Sequence, residues 1–268
     1  MTGSESILLV GCGKMGSALM DGWIGQGTSP DAIFVVDPMQ PDLPDGVAGG
    51  AAFADIPVSF VASVVVLAVK PQVMNEVLAP YRAIVRPDTV FLSIAAGRTI
   101  ASFAAVLGAA AHIVRAMPNT PAAVGRGITV LAGNAHVTGA QRDACEALMT
   151  AVGKVAWVAD EGLIDAVTGV SGSGPAYVFH LVEAMAAAGI AAGLSPELAM
   201  QLARETVAGS GELLAQSADP AATLRENVTS PGGTTAAALD ILMSDDGLTA
   251  LMTRAILRAT ERSRELAG

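Results

Sequence analysis

The chain has 268 residues, room for a sizeable core and for two domains. A net charge of −10 and an isoelectric point near 4.7 exclude the basic footprint of a nucleic-acid binder. Two cysteines, Cys12 and Cys145, provide neither a disulfide framework nor a metal-ligand spacing, and the N-terminal segment lacks the pattern of a signal peptide, so a cytoplasmic protein is expected.

The first apolar run, Ile7–Val10, reads as a buried strand. It leads directly into Gly11-Cys12-Gly13-Lys14-Met15-Gly16 and then a helical pattern to about Gly25. G-x-G-x-x-G between a strand and a helix is a dinucleotide-binding fingerprint. Gly11 makes the tight turn, Gly13 lets a pyrophosphate approach the backbone, and Gly16 allows close helix–strand packing. Cys12 fills a place that needs a small side chain, and Lys14 either neutralises phosphate or is simply solvated. The second strand, Ile33–Val36, ends in Asp37. An acid about 20 residues past the glycines hydrogen-bonds the adenosine ribose and repels a 2′-phosphate, which points to NADH over NADPH. The alternative is an Asp-Pro turn.

Residues 39–63 are rich in Pro, Gly and Ala and show no convincing second crossover helix; Asp55 lies there, either toward the adenine side or in an exposed loop. The run 64–69 is the clearest strand and is stopped by Lys70-Pro71. Strand 90–94 ends in Ala95-Ala96-Gly97, with Thr99 placed to cap the next helix. Strand 112–116 is followed by Met117-Pro118-Asn119-Thr120-Pro121, a loop stiffened by two prolines. A short strand at 128–131 comes next, then Thr138 and Gln141 form a capping box before a helix to about 152, and strand 154–158 is the last. The alternation predicts an α/β fold with a doubly wound dinucleotide-binding domain over residues 1–160.

Beyond residue 160 the strands stop, and 161–268 reads as an all-α domain with helices at 163–170, 175–192, 196–216, 235–243 and 248–266. The most apolar stretch, 175–194, carries His180 and Glu183, unlike a membrane span of about 20 nearly uncharged residues. With hydrophobic residues at 52% overall, a buried or subunit-interface helix is expected. Residues 228–242, VTSPGGTTAAALDIL, join Gly232 and Gly233 to the hydroxyls of Ser230, Thr234 and Thr235 at a helix start. Two readings stay open on these residues alone: an anion site built on free backbone amides, or an ordinary start with Thr as N-cap. None of His112, His136 and His180 sits in a ligand cluster, and no metal or hydrolase motif is present. The chemistry must therefore come mainly from a bound cofactor, which points to hydride transfer.

Six segments together carry a family likeness: GCGKMG at 11–16, AVKPQ at 68–72, SIAAG at 93–97, MPNTP at 117–121, DAVTGVSGSGPAYVF at 165–179 and NVTSPGGTTAAALDIL at 227–242. From end to end the chain resembles the pyrroline-5-carboxylate reductases. The resemblance implies reduction of 1-pyrroline-5-carboxylate to L-proline by NADPH or NADH, with Asp37 leaning to NADH although many family members carry a small or basic residue there. It implies cofactor contacts at Gly11, Cys12, Gly13, Lys14, Met15, Gly16, Asp37, Ala68, Val69, Lys70, Pro71, Ala95 and Ala96, with Asn119 near the nicotinamide. The substrate carboxylate would meet the amides of Thr234 and Thr235 and the Ser230 side chain, in a loop opened by Gly232 and Gly233. Thr235 would also lie by the ring nitrogen as the catalytic residue, and Asn227 and Glu161 would approach the substrate. A homodimer or higher homo-oligomer through interleaved C-terminal helices is implied as well. Another cyclic-imine or keto-acid reductase, or a dinucleotide-binding regulator without turnover, are the alternatives.

Overall fold

A computed structural model describes residues 5–267. In chain order it forms β1 (Ile7–Val10), α1 (Lys14–Gly25), β2 (Ile33–Val36), β3 (Ala48–Gly50), β4 (Val64–Leu67), α2 (Met74–Leu78), β5 (Val90–Ser93) and α3 (Ile100–Leu107). These are followed by β6 (His112–Met117), β7 (Gly127–Gly133), α4 (Gly139–Thr150) and β8 (Gly153–Trp157). The helices α5 (Leu163–Val167), α6 (Gly174–Ala191), α7 (Pro196–Gln216), α8 (Ala221–Asn227), α9 (Thr234–Leu242) and α10 (Leu248–Ala267) complete the chain.

The strands make one sheet in the order β3-β2-β1-β4-β5-β6-β7-β8. Strands β1, β2, β4 and β5 are buried at every position, which is why each reads as an unbroken apolar run. Their side chains alternate between two cores. Ile7, Leu9, Val35, Val66 and Leu92 pack with Leu19 and Trp23 of α1 and Leu148 of α4. Leu8, Val10, Phe34, Val65 and Phe91 pack with Met74 of α2 and Phe103 of α3. Through β6 the sheet is parallel; β7 then pairs antiparallel with β6 and parallel with β8. The 118–126 connection is shorter than the dozen or so residues a parallel crossover takes.

No α-helix lies between β2 and β4; a 3₁₀ turn at Phe53–Asp55 and the three-residue edge strand β3 occupy that interval. Asp55 caps this turn, its Oδ2 accepting from the Ala51 and Ala52 amides at 2.8 and 2.9 Å. The two caps expected from sequence form, Thr99 accepting from Ser102 and Thr138 and Gln141 making the reciprocal box, and Ser195 accepts from Leu198 at the start of α7.

The chain divides into two compact units. One reaches to Gly172 and takes in the last turns from Ala259; the other is Ser173–Arg258. The segment just past residue 160 packs in the first unit, where fully buried Ile164 joins Met117 and Ala132. The sequence expectation of plain helix through 170 is replaced by α5 and a π-helical turn at Thr168–Gly172. In the second unit, α6 and α7 meet through Ala186, Ala199 and Ala203, small residues that allow close approach. The helical run Leu163–Ala191 is long and apolar enough to cross a membrane by length and composition, and only 6% of its most apolar window is buried.

Candidate active site

At the end of β1, Gly11 adopts φ +90 and its amide donates to Val36 O at 2.8 Å. A Cβ on Gly11 would stand 2.9 Å from the Ala68 backbone, and one on Gly16 would stand 2.4 Å from Gly11 O. Glycine is therefore required at both by packing. Gly13 is different: nothing lies within 4 Å of the place its Cβ would take, and it opens α1 with no side-chain cap. The space beside Gly13 at the start of α1 is therefore open, and the helix begins without a side-chain cap. Met15 packs into the core below, while Lys14 is exposed.

Asp37 closes this loop from the side. Its Oδ2 accepts from the Cys12 amide at 2.7 Å and its Oδ1 from the Met39 amide at 2.8 Å. Gln40, the one described non-glycine residue with positive φ (+44), shapes the turn that follows. A cavity of ≈ 230 Å³ opens beside Asp37, bounded by Val35, Gln40, Pro41, Gly49 and Gly50. Burial raises the Cys12 thiol pKa, and the charges of Asp37 and Asp21 raise it further. Its neutral form is the stable one, so the position serves packing and backbone donation rather than nucleophilic chemistry.

The other sequence-predicted cofactor residues lie on neighbouring strand ends. The Ala68 amide donates to Val10 O at 2.8 Å, which sets Ala68 and Val69 beside Gly11. Lys70 is exposed, and Pro71 opens a 3₁₀ turn. Ala95 is buried and Ala96 exposed at the carboxyl end of β5. Asn119 uses its side-chain Oδ1 to accept from Ile128 N at 3.0 Å, tying the two-proline loop to β7.

Glu161 sits in the first unit with Oε1 doubly engaged, by Arg115 Nη1 at 3.0 Å and by the Ile100 amide at 2.8 Å. Arg115, only 3% exposed, also approaches Asp165 Oδ1 at 3.9 Å, and Ser263 donates to that oxygen at 2.6 Å. Sequence reasoning missed Arg115, Asp165 and Ser263. The available signal was a charge inside the apolar strand HIVRAM.

The 228–242 stretch lies in the second unit. Glu226 O accepts from Thr229, Ser230 O accepts from Gly233 at 3.0 Å, and Gly232 takes φ +70. The N-cap of α9 is Gly233, with no side-chain cap, so the Thr-capped alternative is not what forms. Helix α9 starts at Thr234, one residue earlier than expected, and its first-turn amides are left for an external acceptor. Ser230 and Thr234 are exposed there, Thr235 is half-buried, and Asn227 is exposed at the end of α8. Ahead of and at the start of the SGSG segment, Thr168 and Ser171 donate back to Ile164 O and Val167 O, as hydroxyls within a helix commonly do.

Residues 161–266 match the family model for pyrroline-5-carboxylate reductase dimerisation, and residues 6–97 match that for NADP oxidoreductase coenzyme F420-dependent. The pyrroline-5-carboxylate reductase of Pseudomonas aeruginosa is 40% identical over 272 residues, covering 97% of this chain and 96% of its own. A solved pyrroline-5-carboxylate reductase from Coxiella burnetii superposes with a TM-score of 0.91 at 35% identity, covering 99% of this chain and 100% of its own. The Plasmodium falciparum pyrroline carboxylate reductase, solved with NADP bound, gives 0.79 at 28% identity over 98% of each chain. With a full-length relative at this identity, the chain belongs to the pyrroline-5-carboxylate reductase family.

Proposed function

We propose that the protein reduces 1-pyrroline-5-carboxylate to L-proline with NAD(P)H, the last step of proline biosynthesis. The observation that carries this is the uncapped start of α9 beside Ser230 and Thr235, in a chain whose first unit also opens α1 without a side-chain cap at the glycine fingerprint. When bound, the dinucleotide supplies the hydride that reduces the C=N bond. The residues at Gly11, Cys12, Gly13, Lys14, Met15, Gly16, Asp37, Ala68, Val69, Lys70, Pro71, Ala95 and Ala96 hold it, with Asn119 bracing the nicotinamide side. The amides of Thr234 and Thr235 take the substrate carboxylate, aided by the Ser230 hydroxyl and the positive end of the helix dipole. Gly232 and Gly233 leave this approach clear, and Asn227 borders it. The Thr235 hydroxyl hydrogen-bonds the ring nitrogen. A protonated imine is already electrophilic, so holding and orienting it is most of what these residues must do.

Two finer points rest on particular residues. Asp37 favours NADH, because a carboxylate repels a 2′-phosphate and the described turn after β2 brings no Arg or Lys to offset it. The second unit leaves Val178, Phe179, Leu181, Leu213, Leu214 and Ile241 exposed, an apolar surface that assembly into a homodimer or larger homo-oligomer would cover. The same cover accounts for the apolar run 163–191 in a cytoplasmic protein.

A steady-state assay with pyrroline-5-carboxylate and either NADH or NADPH tests the reading. Imine-dependent oxidation of the cofactor is expected. Turnover with a six-membered cyclic imine or a keto acid, and none with pyrroline-5-carboxylate, would overturn it.

A further inference from the structure

The loop 94–99 is fastened at three places within the first unit. Where it begins, the Ala95 amide donates to Ser93 Oγ at 3.2 Å, and Ser93 is in register with Arg115 of β6. Where it ends, the Ile100 amide donates to Glu161 Oε1. In the middle, Gly97 has φ +68 and lies against the last turn of α10, where an added Cβ would stand 3.4 Å from Leu266 O. Parts of the chain far apart in sequence meet here: β6, the 161–165 segment and the end of α10.

Arg115 couples the three. Its buried guanidinium needs a counter-charge, and Glu161 Oε1 provides it at 3.0 Å while also receiving the first amide of α3. Nη2 has no hydrogen-bond partner, so the charge of Asp165 at 3.9 Å is what compensates it. Asp165 is in turn held by Ser263. An oxygen bound to a buried arginine and to a backbone amide at once is not free to turn toward another ligand. The carboxylate also complements the positive end of α3.

We propose that Glu161, Arg115, Asp165 and Ser263 form a positioning device for the Ala95-Ala96-Gly97 loop, and that Glu161 acts on the bound dinucleotide through this loop rather than on the imine. The inference rests on the reading of Ala95 and Ala96 as dinucleotide contacts. A site built this way gains affinity because its backbone is set before the ligand arrives.

The test is titration of the intact protein with NADH by nicotinamide fluorescence, without substrate, alongside steady-state kinetics with pyrroline-5-carboxylate. Glu161→Ala is expected to weaken NADH binding about tenfold or more while the imine KM stays within about twofold. Glu161→Gln keeps an acceptor for Ile100 but removes the charge that faces Arg115, and is expected to weaken NADH binding about two- to fivefold. Ser263→Ala, remote from any ligand, is expected to weaken NADH binding about two- to fivefold. If Glu161→Ala does not fold by circular dichroism, Glu161→Gln and Ser263→Ala carry the test on the same two readouts. A rise in imine KM with NADH affinity unchanged would overturn the proposal and make Glu161 a substrate contact. Ala96→Trp separates the two layers. If it abolishes NADH binding while the Glu161 and Ser263 variants bind normally, the positioning device is wrong; if it too binds normally, the loop is no dinucleotide contact and both readings fall.

Discussion

Asp37 Oδ2 accepts a hydrogen bond from the Cys12 amide at 2.7 Å, so the residue proposed to favour NADH also props the glycine turn. Replacing it does two things at once. Asp37→Ser removes the repulsion toward a 2′-phosphate and also loosens the glycine turn. We expect kcat/KM with NADH to fall about tenfold or more and the NADPH value to change much less. The ratio of the two, measured at saturating imine, should therefore move toward NADPH without restoring parental efficiency.

Gly13 and Gly16 separate binding from stability. Gly13→Ala meets no atom and its φ of −74 suits alanine, so the melting temperature should hold while dinucleotide affinity drops. Gly16→Ala drives a Cβ to 2.4 Å from a backbone carbonyl that has no room to move. A cost of about 1–3 kcal/mol is expected, read as a lower melting temperature with or without cofactor. Thermal melts of both variants, with and without NADH, check this pair.

At the start of α9, Thr235→Ala should lower kcat/KM for the imine about tenfold or more, with NADH affinity in the binary complex unchanged. Gly232→Ala has nothing near its Cβ but must hold φ +70, a cost of about 1–2 kcal/mol. It should distort the carboxylate site and raise the imine KM. Product analysis and initial rates over a range of imine concentrations distinguish the two effects.

Cys145 is fully buried, and burial together with the charge of Glu5 pushes its thiol pKa up to about 12. The folded state holds this proton more tightly than the unfolded chain. Its contribution is complete below the unfolded pKa near 9 and is lost as pH rises toward 12. The lead of the parent over Cys145→Ala in denaturant midpoint should therefore be largest at neutral pH and shrink or reverse as pH rises from 9 toward 12, the parent losing stability faster.

Phe179 is 64% exposed on α6 among other apolar side chains. Phe179→Glu is expected to shift the protein toward monomer in sedimentation velocity, with activity falling as the assembly dissociates. An unchanged sedimentation coefficient would remove α6 from the interface.

The strands and caps of the first unit were legible because their causes are local. Four buried strands are four apolar runs, and Thr99 and Thr138 with Gln141 cap with their own neighbours. What escaped depends on distance along the chain or lacks a pattern. Strand β3 is AGG, with no strand-forming side chain, and exists because β2 pairs with it. Helices α2 and α8 have five and seven residues, too few to show a periodicity. The partners of Arg115 lie 46 and 50 positions away, so the charge was visible but its purpose was not. At residues 228–242 the motif was plain, while the choice between a capped helix and an open one required the backbone, which makes Gly233 the cap.

The discontinuity of the first unit bears on how the protein is made. Thr260 and Ser263 are buried in it, 5% and 6% exposed, yet they follow the whole second unit in the chain. The first unit is begun before the second and can be completed only after the whole second unit has emerged. Asp165 and Arg115 must wait through that interval without the Ser263 hydroxyl. A chain cut before Ala259 would carry every glycine of the fingerprint and still lack the segment that backs Gly97.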